Sequence, residues 1–149
     1  MFKHILLPTD GSELSNKALK QAIEVAKALG AKITALHIMD SYHMVLHDEG
    51  LAMPEIAALK TRLGEEKAAR AKQILGAIEE AAETAGVECD AVVATSDVPY
   101  EMIIDQATRF KCDLIVMASH GRSGLQGILL GSVTQKVLTH SKIPVLVCR

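Results

Sequence analysis

The chain has 149 residues, the size of one domain, with 49% apolar residues and no tryptophan. A chain of this length buries roughly 68–70% of its unfolded surface, so it needs no disulfide or structural metal to build a core. The 16 Lys and Arg against 18 Asp and Glu, a formal charge of -2, argue against a nucleic-acid partner held through phosphate neutralisation and against a polybasic membrane anchor.

The N-terminal apolar run is too short for a signal-peptide core and meets Pro8 and Asp10. No segment approaches the ~18 apolar residues of a membrane span. Cys89, Cys112 and Cys148 are an odd, scattered set, which reads as reduced thiols rather than a disulfide scaffold. A soluble, cytoplasmic protein is expected.

Five short runs rich in Ile, Val and Leu, at 4–7, 33–39, 91–94, 114–118 and 143–148, alternate with stretches of helical character. Several of the runs lack polar alternation, as expected of parallel strands covered on both faces. The fold class is therefore α/β, with residues 1–149 as a single domain. After the first run, residues 12–29 place Leu14, Ala18, Leu19, Ala22, Ile23 and Ala26 at helical spacing before Gly30. Residues 40–53 are the least regular part and read as a flap over the top of the sheet. The stretch 54–85 predicts a helix about 48 Å long if unbroken, with a bend or an overhang expected near Gly64 or Gly76. Pro99 opens a further helix to Phe110, and a last one runs from about Gly131 to His140.

Residues 118–134 are the most informative segment. They leave the fourth apolar run, place Gly121, Gly124, Gly127 and Gly131 in a loop, and enter a helix at Gly131-Ser132. Glycine permits close backbone approach, and the N–H groups and dipole of a helix start attract anions. Ser132 and Thr134 add hydroxyls in that first turn. The chemistry indicated is a phosphate or another anion. The usual nucleotide signatures are missing: no Gly-x-x-x-x-Gly-Lys-Ser/Thr loop occurs, and the turn Pro8-Thr9-Asp10-Gly11-Ser12 lacks Gly-x-Gly-x-x-Gly.

Four segments together resemble the universal stress protein family over essentially the whole chain. They are Ile5-Leu6-Leu7-Pro8-Thr9-Asp10-Gly11-Ser12, His37-Ile38-Met39-Asp40, the glycine loop, and Ser141-Lys142-Ile143-Pro144-Val145-Leu146-Val147. The ATP-binding motif of that family reads Gly, two residues, Gly, nine residues, Gly, then Ser or Thr. Gly121, Gly131 and Ser132 match it, and Ala118 replaces the first glycine, a small intrusion at negative φ and a serious one at positive φ. The resemblance implies a doubly wound five-stranded parallel sheet of order 3-2-1-4-5 with helices on both faces. The site then lies where the first and fourth strands part. Pro8, Thr9, Asp10 and Ile38 would meet adenine, Met117, Ala118, His120 and Gly121 the ribose, and Gly131, Ser132, Val133 and Thr134 the phosphates. The implied ligand is ATP, or ADP or AMP, with Mg²⁺ or Mn²⁺ carried by the phosphates and touched by Asp10. The resemblance also points to a homodimer through the final strand, 143–148, which has no following helix to cover its outer side.

Each of these residues has a plainer account. Asp10 fits a helix cap as well as a metal-bound phosphate. Arg122, the one cation of the loop, reads as a solvated side chain as readily as a phosphate contact. His120 lacks a carboxylate partner in sequence, which favours a structural hydrogen bond over general-base work. His43 and His47 stand four apart, one helical turn, near Asp40 and Asp48, but a polar loop accounts for them more simply than a metal. Ser123 sits in Gly-x-Ser-Gly, one residue short of a nucleophile elbow. The expected function is an adenine-nucleotide-binding stress-response module. Its rivals are a slow ATPase or nucleotidyl-transfer enzyme on the same site and a ligand-free protein-interaction dimer.

Overall fold

The computed structural model describes residues 1–41, 52–121 and 130–149. In chain order the elements are β1 (His4–Thr9), α1 (Glu13–Leu29), β2 (Lys32–Met39), α2 (Met53–Ala85), β3 (Cys89–Thr95), α3 (Pro99–Arg109), β4 (Leu114–Ala118), α4 (Ser132–His140) and β5 (Val145–Cys148). The five strands form one parallel sheet in the order β3-β2-β1-β4-β5, as the resemblance implied.

Strand alternation divides the core into two layers. Ile5 and Leu7 of β1, Ile33 and Ala35 of β2, and Leu114 and Val116 of β4 pack under α1 and α2. Leu6, Leu36, Ile115 and Met117 point the other way and pack with Ile103 and Ala107 of α3 and Val137 of α4. Covering both faces removes the polar alternation from the central strands, which is why they read as continuous apolar runs.

Strands β1 and β3 extend past their apolar runs, to Thr9 and over Cys89–Thr95, and two further differences from the sequence expectation have plain physical reasons. The last strand starts at Val145 rather than 143. The Ser141 hydroxyl accepts the Ile143 N–H at 3.0 Å and donates to the Ile143 carbonyl at 2.9 Å, and Pro144 has no N–H to offer a ladder. Helix α2 runs without interruption through 33 residues, across both Gly64 and Gly76. A glycine costs a helix about 1 kcal/mol relative to alanine, which strong helix formers on either side absorb, and kinks need a proline or an inserted group. The expected overhang is present: the buried residues Ala71, Leu75, Ile78 and Ala82 all lie in the second half of α2.

The three cysteines are free thiols. Burial pushes Cys89 and Cys112 up to about 11, the reverse of what a reactive thiol requires. Among the described residues no helix is long and apolar enough to cross a membrane.

Candidate functional site

The β1–β2 ladder runs over six positions, from His4↔Lys32 to Thr9↔His37. On its other side β1 pairs with β4 only at Ile5↔Leu114 and Leu6↔Ile115. Pro8 stands where β1 and β4 have parted. Their connections also diverge, with α1 on one face of the sheet and α4 on the other. This is the switch-point crevice at the carboxyl ends of the strands.

A cavity of about 630 Å³ occupies the crevice. The end of β1 contributes Pro8, Thr9 and Asp10, and β2 contributes Ile38. From β4 and the residues after it come Met117, Ala118, His120 and Gly121, and from the start of α4 come Gly131, Ser132, Val133 and Thr134. The structure thus brings together twelve of the thirteen positions singled out from the sequence. Arg122 lies outside the described residues, as do Ser123, His43 and His47.

The turn from β1 into α1 is held by its own side chains. Asp10 Oδ1 accepts the Ser12 N–H at 2.9 Å, and Ser12 Oγ accepts the Ser15 N–H at 3.2 Å. The cap of α1 is therefore Ser12, not Asp10. The Thr9 hydroxyl donates to Ser15 Oγ and accepts the Gly11 N–H, each at 3.2 Å. Gly11 has φ of 75°, and a Cβ there would lie 2.7 Å from Ile74 Cδ1. The positive φ and this contact with α2 both call for glycine.

Asp10 and the glycine loop meet directly. A Cβ on Gly121 would fall 2.7 Å from Asp10 Oδ2. No side chain of that size fits without moving the carboxylate, a physical reason for glycine that owes nothing to flexibility. Ala118 is 9% exposed and lies within β4, and Lys111 is the one non-glycine residue at positive φ among the described residues. Its methyl is therefore the mild case of the departure from the family motif.

The N-cap of α4 is Gly131, which brings no side-chain oxygen to the first turn. The Gly131 N–H donates to the Ser119 carbonyl at 2.7 Å, and Gln135 N–H closes the first turn on the Gly131 carbonyl at 2.9 Å. Gly131, Ser132, Val133 and Thr134 line the cavity, so the first turn stands at its wall, and the N–H groups of a helix start favour an anion. The Ser132 side chain is exposed at this end. Thr134 differs from the sequence expectation: it is 3% exposed, and its hydroxyl donates to the Ala118 carbonyl at 2.9 Å. With its one proton committed, the Thr134 hydroxyl has no donor left for a ligand. The His120 Nδ1 lies 3.0 Å from the Ser119 hydroxyl, a contact with a side chain that carries no charge.

Ser15, Leu36, Asp40, Pro99 and Ile103 also line the cavity and were not read as site residues from the sequence. Strand parity was the available signal for two of them, since residues 36, 38 and 40 share a face with Ile38. Among the described lining residues there is no lysine or arginine, and two carboxylates, Asp10 and Asp40, are present.

An open parallel sheet with a helix start and a cavity at its switch point is the architecture of a small doubly wound α/β domain. The universal stress protein family profile matches residues 1–149. The chain is 36% identical to the universal stress protein MJ0531 of Methanocaldococcus jannaschii over 150 residues, covering 100% of this chain and 83% of that one. It superposes with a TM-score of 0.81 on MJ0577 of the same organism at 31% identity, covering 99% and 96% of the two chains. A universal stress protein solved in complex with cAMP matches with a TM-score of 0.72 at 25% identity, covering 99% and 97%. The chain belongs to the universal stress protein family.

Proposed function

We propose that the protein binds an adenine nucleotide, ATP, ADP or AMP, in this cavity and serves as a cytoplasmic stress-response module. The observation that carries the reading is the start of α4 at Gly131 facing, across one cavity, the apolar floor of Leu36, Ile38 and Ile103. Phosphates match the first and a flat base the second. The relative solved with cAMP supports an adenine nucleotide as the ligand class. Among the described residues no group of three His, Cys, Asp or Glu gathers to hold a metal. A Mg²⁺ or Mn²⁺ would take its oxygens from phosphate, water and Asp10, the coordination such hard cations favour. The described lining supplies no lysine or arginine to stabilise a transferring phosphoryl group, so binding without rapid turnover is expected.

Mass spectrometry of small molecules released from freshly purified protein, followed by calorimetric titration with ATP and Mg²⁺, tests the reading. Retained or saturably bound adenine nucleotide is the expected result. A protein that carries none and binds none contradicts it. Phosphate release near the ~10 s⁻¹ typical of enzymes would replace the module by an ATPase.

The same reading includes a homodimer formed through β5. That strand is an edge of the sheet, and Leu146 is 39% exposed on it. An uncharged apolar edge offers unpaired N–H and C=O groups, which two copies satisfy by pairing about a two-fold axis. Light scattering should give a dimer for the intact chain and a monomer when Val145 and Val147 are both changed to lysine. A dimer indifferent to both lysines removes β5 from the interface.

A further inference from the structure

We infer that Asp40 selects the base: its carboxylate accepts a hydrogen bond from the exocyclic amino group of a 6-aminopurine, and the cavity thereby discriminates against 6-oxopurines. The inference rests on the nucleotide reading above and assigns a residue to its specificity.

The cavity has two chemically different ends. The helix start that suits phosphate belongs to α4, beyond β4, whereas Leu36, Ile38, Pro99 and Ile103 come from β2 and α3. In the order β2-β1-β4 the two ends are two strand spacings apart, about 10 Å, a span suited to a nucleotide lying across the crevice with its base over β2. Asp40 follows β2 directly, shares the face of Leu36 and Ile38 by strand parity, and lines the same cavity.

Its position is fixed from both sides. The carbonyl of Met39 accepts the Ser96 N–H at 2.9 Å, and the N–H of Ser41 donates to Asp97 Oδ1 at 2.9 Å. Asp40 is thus bracketed by two hydrogen bonds to the connection between β3 and α3. Its Oδ2 lies 3.9 Å from Lys67 Nζ of α2. An ionised carboxylate is an acceptor only. A 6-amino group donates to it, whereas a 6-oxo group in the same place sets one oxygen against another, and a 6-oxopurine pairs with the carboxylate only by shifting its N1–H into the position of the amino group. The Asp40 side chain is 80% exposed, so the discrimination is that of a wet rim contact, about tenfold, far below the ~10⁴ of a buried hydrogen-bonding pocket.

The test is calorimetric titration of the full chain, wild type and Asp40→Ala and Asp40→Asn, with ATP, ITP and 2′-deoxy-ATP. The wild type should bind ATP about tenfold more tightly than ITP. Asp40→Ala should lower ATP affinity about tenfold and leave ITP unchanged, bringing the ratio close to one. Asp40→Asn, which can donate as well as accept, should gain ITP affinity. Melting temperatures report whether the variants fold, and the exposure of the side chain predicts that they do. An ATP to ITP ratio that survives Asp40→Ala, or equal binding of the two by the wild type, overturns the role of Asp40 while leaving the nucleotide reading intact. A discrimination against 2′-deoxy-ATP that disappears in Asp40→Ala moves the contact to the ribose and also overturns it. A wild type that binds none of the three defeats the nucleotide reading, and the inference with it.

Discussion

The amino end of the sheet and the start of α4 at its carboxyl end treat polar groups differently. At the amino end backbone donors are matched by side chains and carbonyls of the chain itself. The Asp113 carboxylate accepts the Lys3 N–H at 3.0 and 2.9 Å and the His4 N–H at 3.0 Å, and the Asp113 N–H returns to the His4 carbonyl at 2.9 Å. The buried His4 ring meets the Thr34 hydroxyl at 2.8 Å. Helices α1 and α2 close at Gly30 and Gly86, whose N–H groups turn back onto Ala26 and onto Ala82 and Glu83. At the carboxyl end α4 starts at a glycine that caps nothing. The difference separates what holds the fold from what is left for a ligand, because donors satisfied within the chain add stability and donors left at a cavity wall add affinity.

The sharpest way to break this contrast is to fill the carboxyl end. A Cβ at Gly131 meets nothing nearer than 3.4 Å, so Gly131→Val should fold. Its isopropyl group would stand beside the N–H groups meant for phosphate, and ATP affinity should fall at least ~100-fold, about 2.7 kcal/mol. Calorimetry on a variant with wild-type melting behaviour checks it, and unchanged affinity refutes this placement of the phosphates. The mirror experiment is Asp113→Ala, which removes the acceptor for the Lys3 and His4 N–H groups. It should cost about 2 kcal/mol in urea denaturation and leave ATP affinity within about twofold.

Thr134 sharpens the division, since it stands at the ligand end but carries a structural bond. Thr134→Val leaves the Ala118 carbonyl without its donor, and a loss of about 1 kcal/mol in stability is expected. ATP affinity should change less than about threefold, because the backbone N–H remains. A large loss of affinity without a loss of stability would return the hydroxyl to the phosphate.

The smallest expected effect is a pH dependence from the amino end. Burial, aided by the Lys32 charge, holds the His4 imidazole below its ordinary value. The unfolded chain, with an ordinary histidine near ~6.5, then binds the proton more readily than the folded one. Stability is complete above that value and is lost as pH falls from it toward the folded value. Urea midpoints between pH 7.5 and 5.5 should show the decline, and His4→Gln, which keeps a partner for Thr34, should flatten it. Asp113 acts in a separate, more acidic window. Burial opposes its ionisation, but the His4 and Lys3 N–H groups outweigh that and hold the carboxyl below the usual range. Its contribution is present above the ordinary carboxylate value and fades only as pH falls through the lowered one.

How much of this was legible depended on whether a residue's role was local. Strand β4 stands at Leu114–Ala118, where the apolar run placed it. The glycine loop suggested where a cavity would lie because glycine spacing and a helix start are both local features of the chain, and Gly121 and Gly131 do line it. The β2 and α3 half of the cavity did not announce itself. Leu36 and Ile103 read as core, and core they are, with part of their surface turned to the cavity. The committed hydroxyl of Thr134 was equally hidden, since its acceptor lies 16 residues away in sequence. Gly121 showed as a glycine, but the reason for it, the carboxylate of Asp10 across the crevice, is a tertiary fact.

The overhang of α2 has a consequence for how the molecule opens. Its second half is riveted to the sheet by Ala71, Leu75, Ile78 and Ala82, whereas none of these anchors lies in residues 53–70. Helices gain most of their stability from such packing rather than from their own hydrogen bonds. Amide hydrogens of residues 71–85 should therefore exchange with deuterium only when the whole protein unfolds. Those of 53–70 should exchange through cheaper local fraying, orders of magnitude faster. The first protease cut in the native protein is expected in that same unriveted half, and a trimmed body that keeps its sheet should survive it.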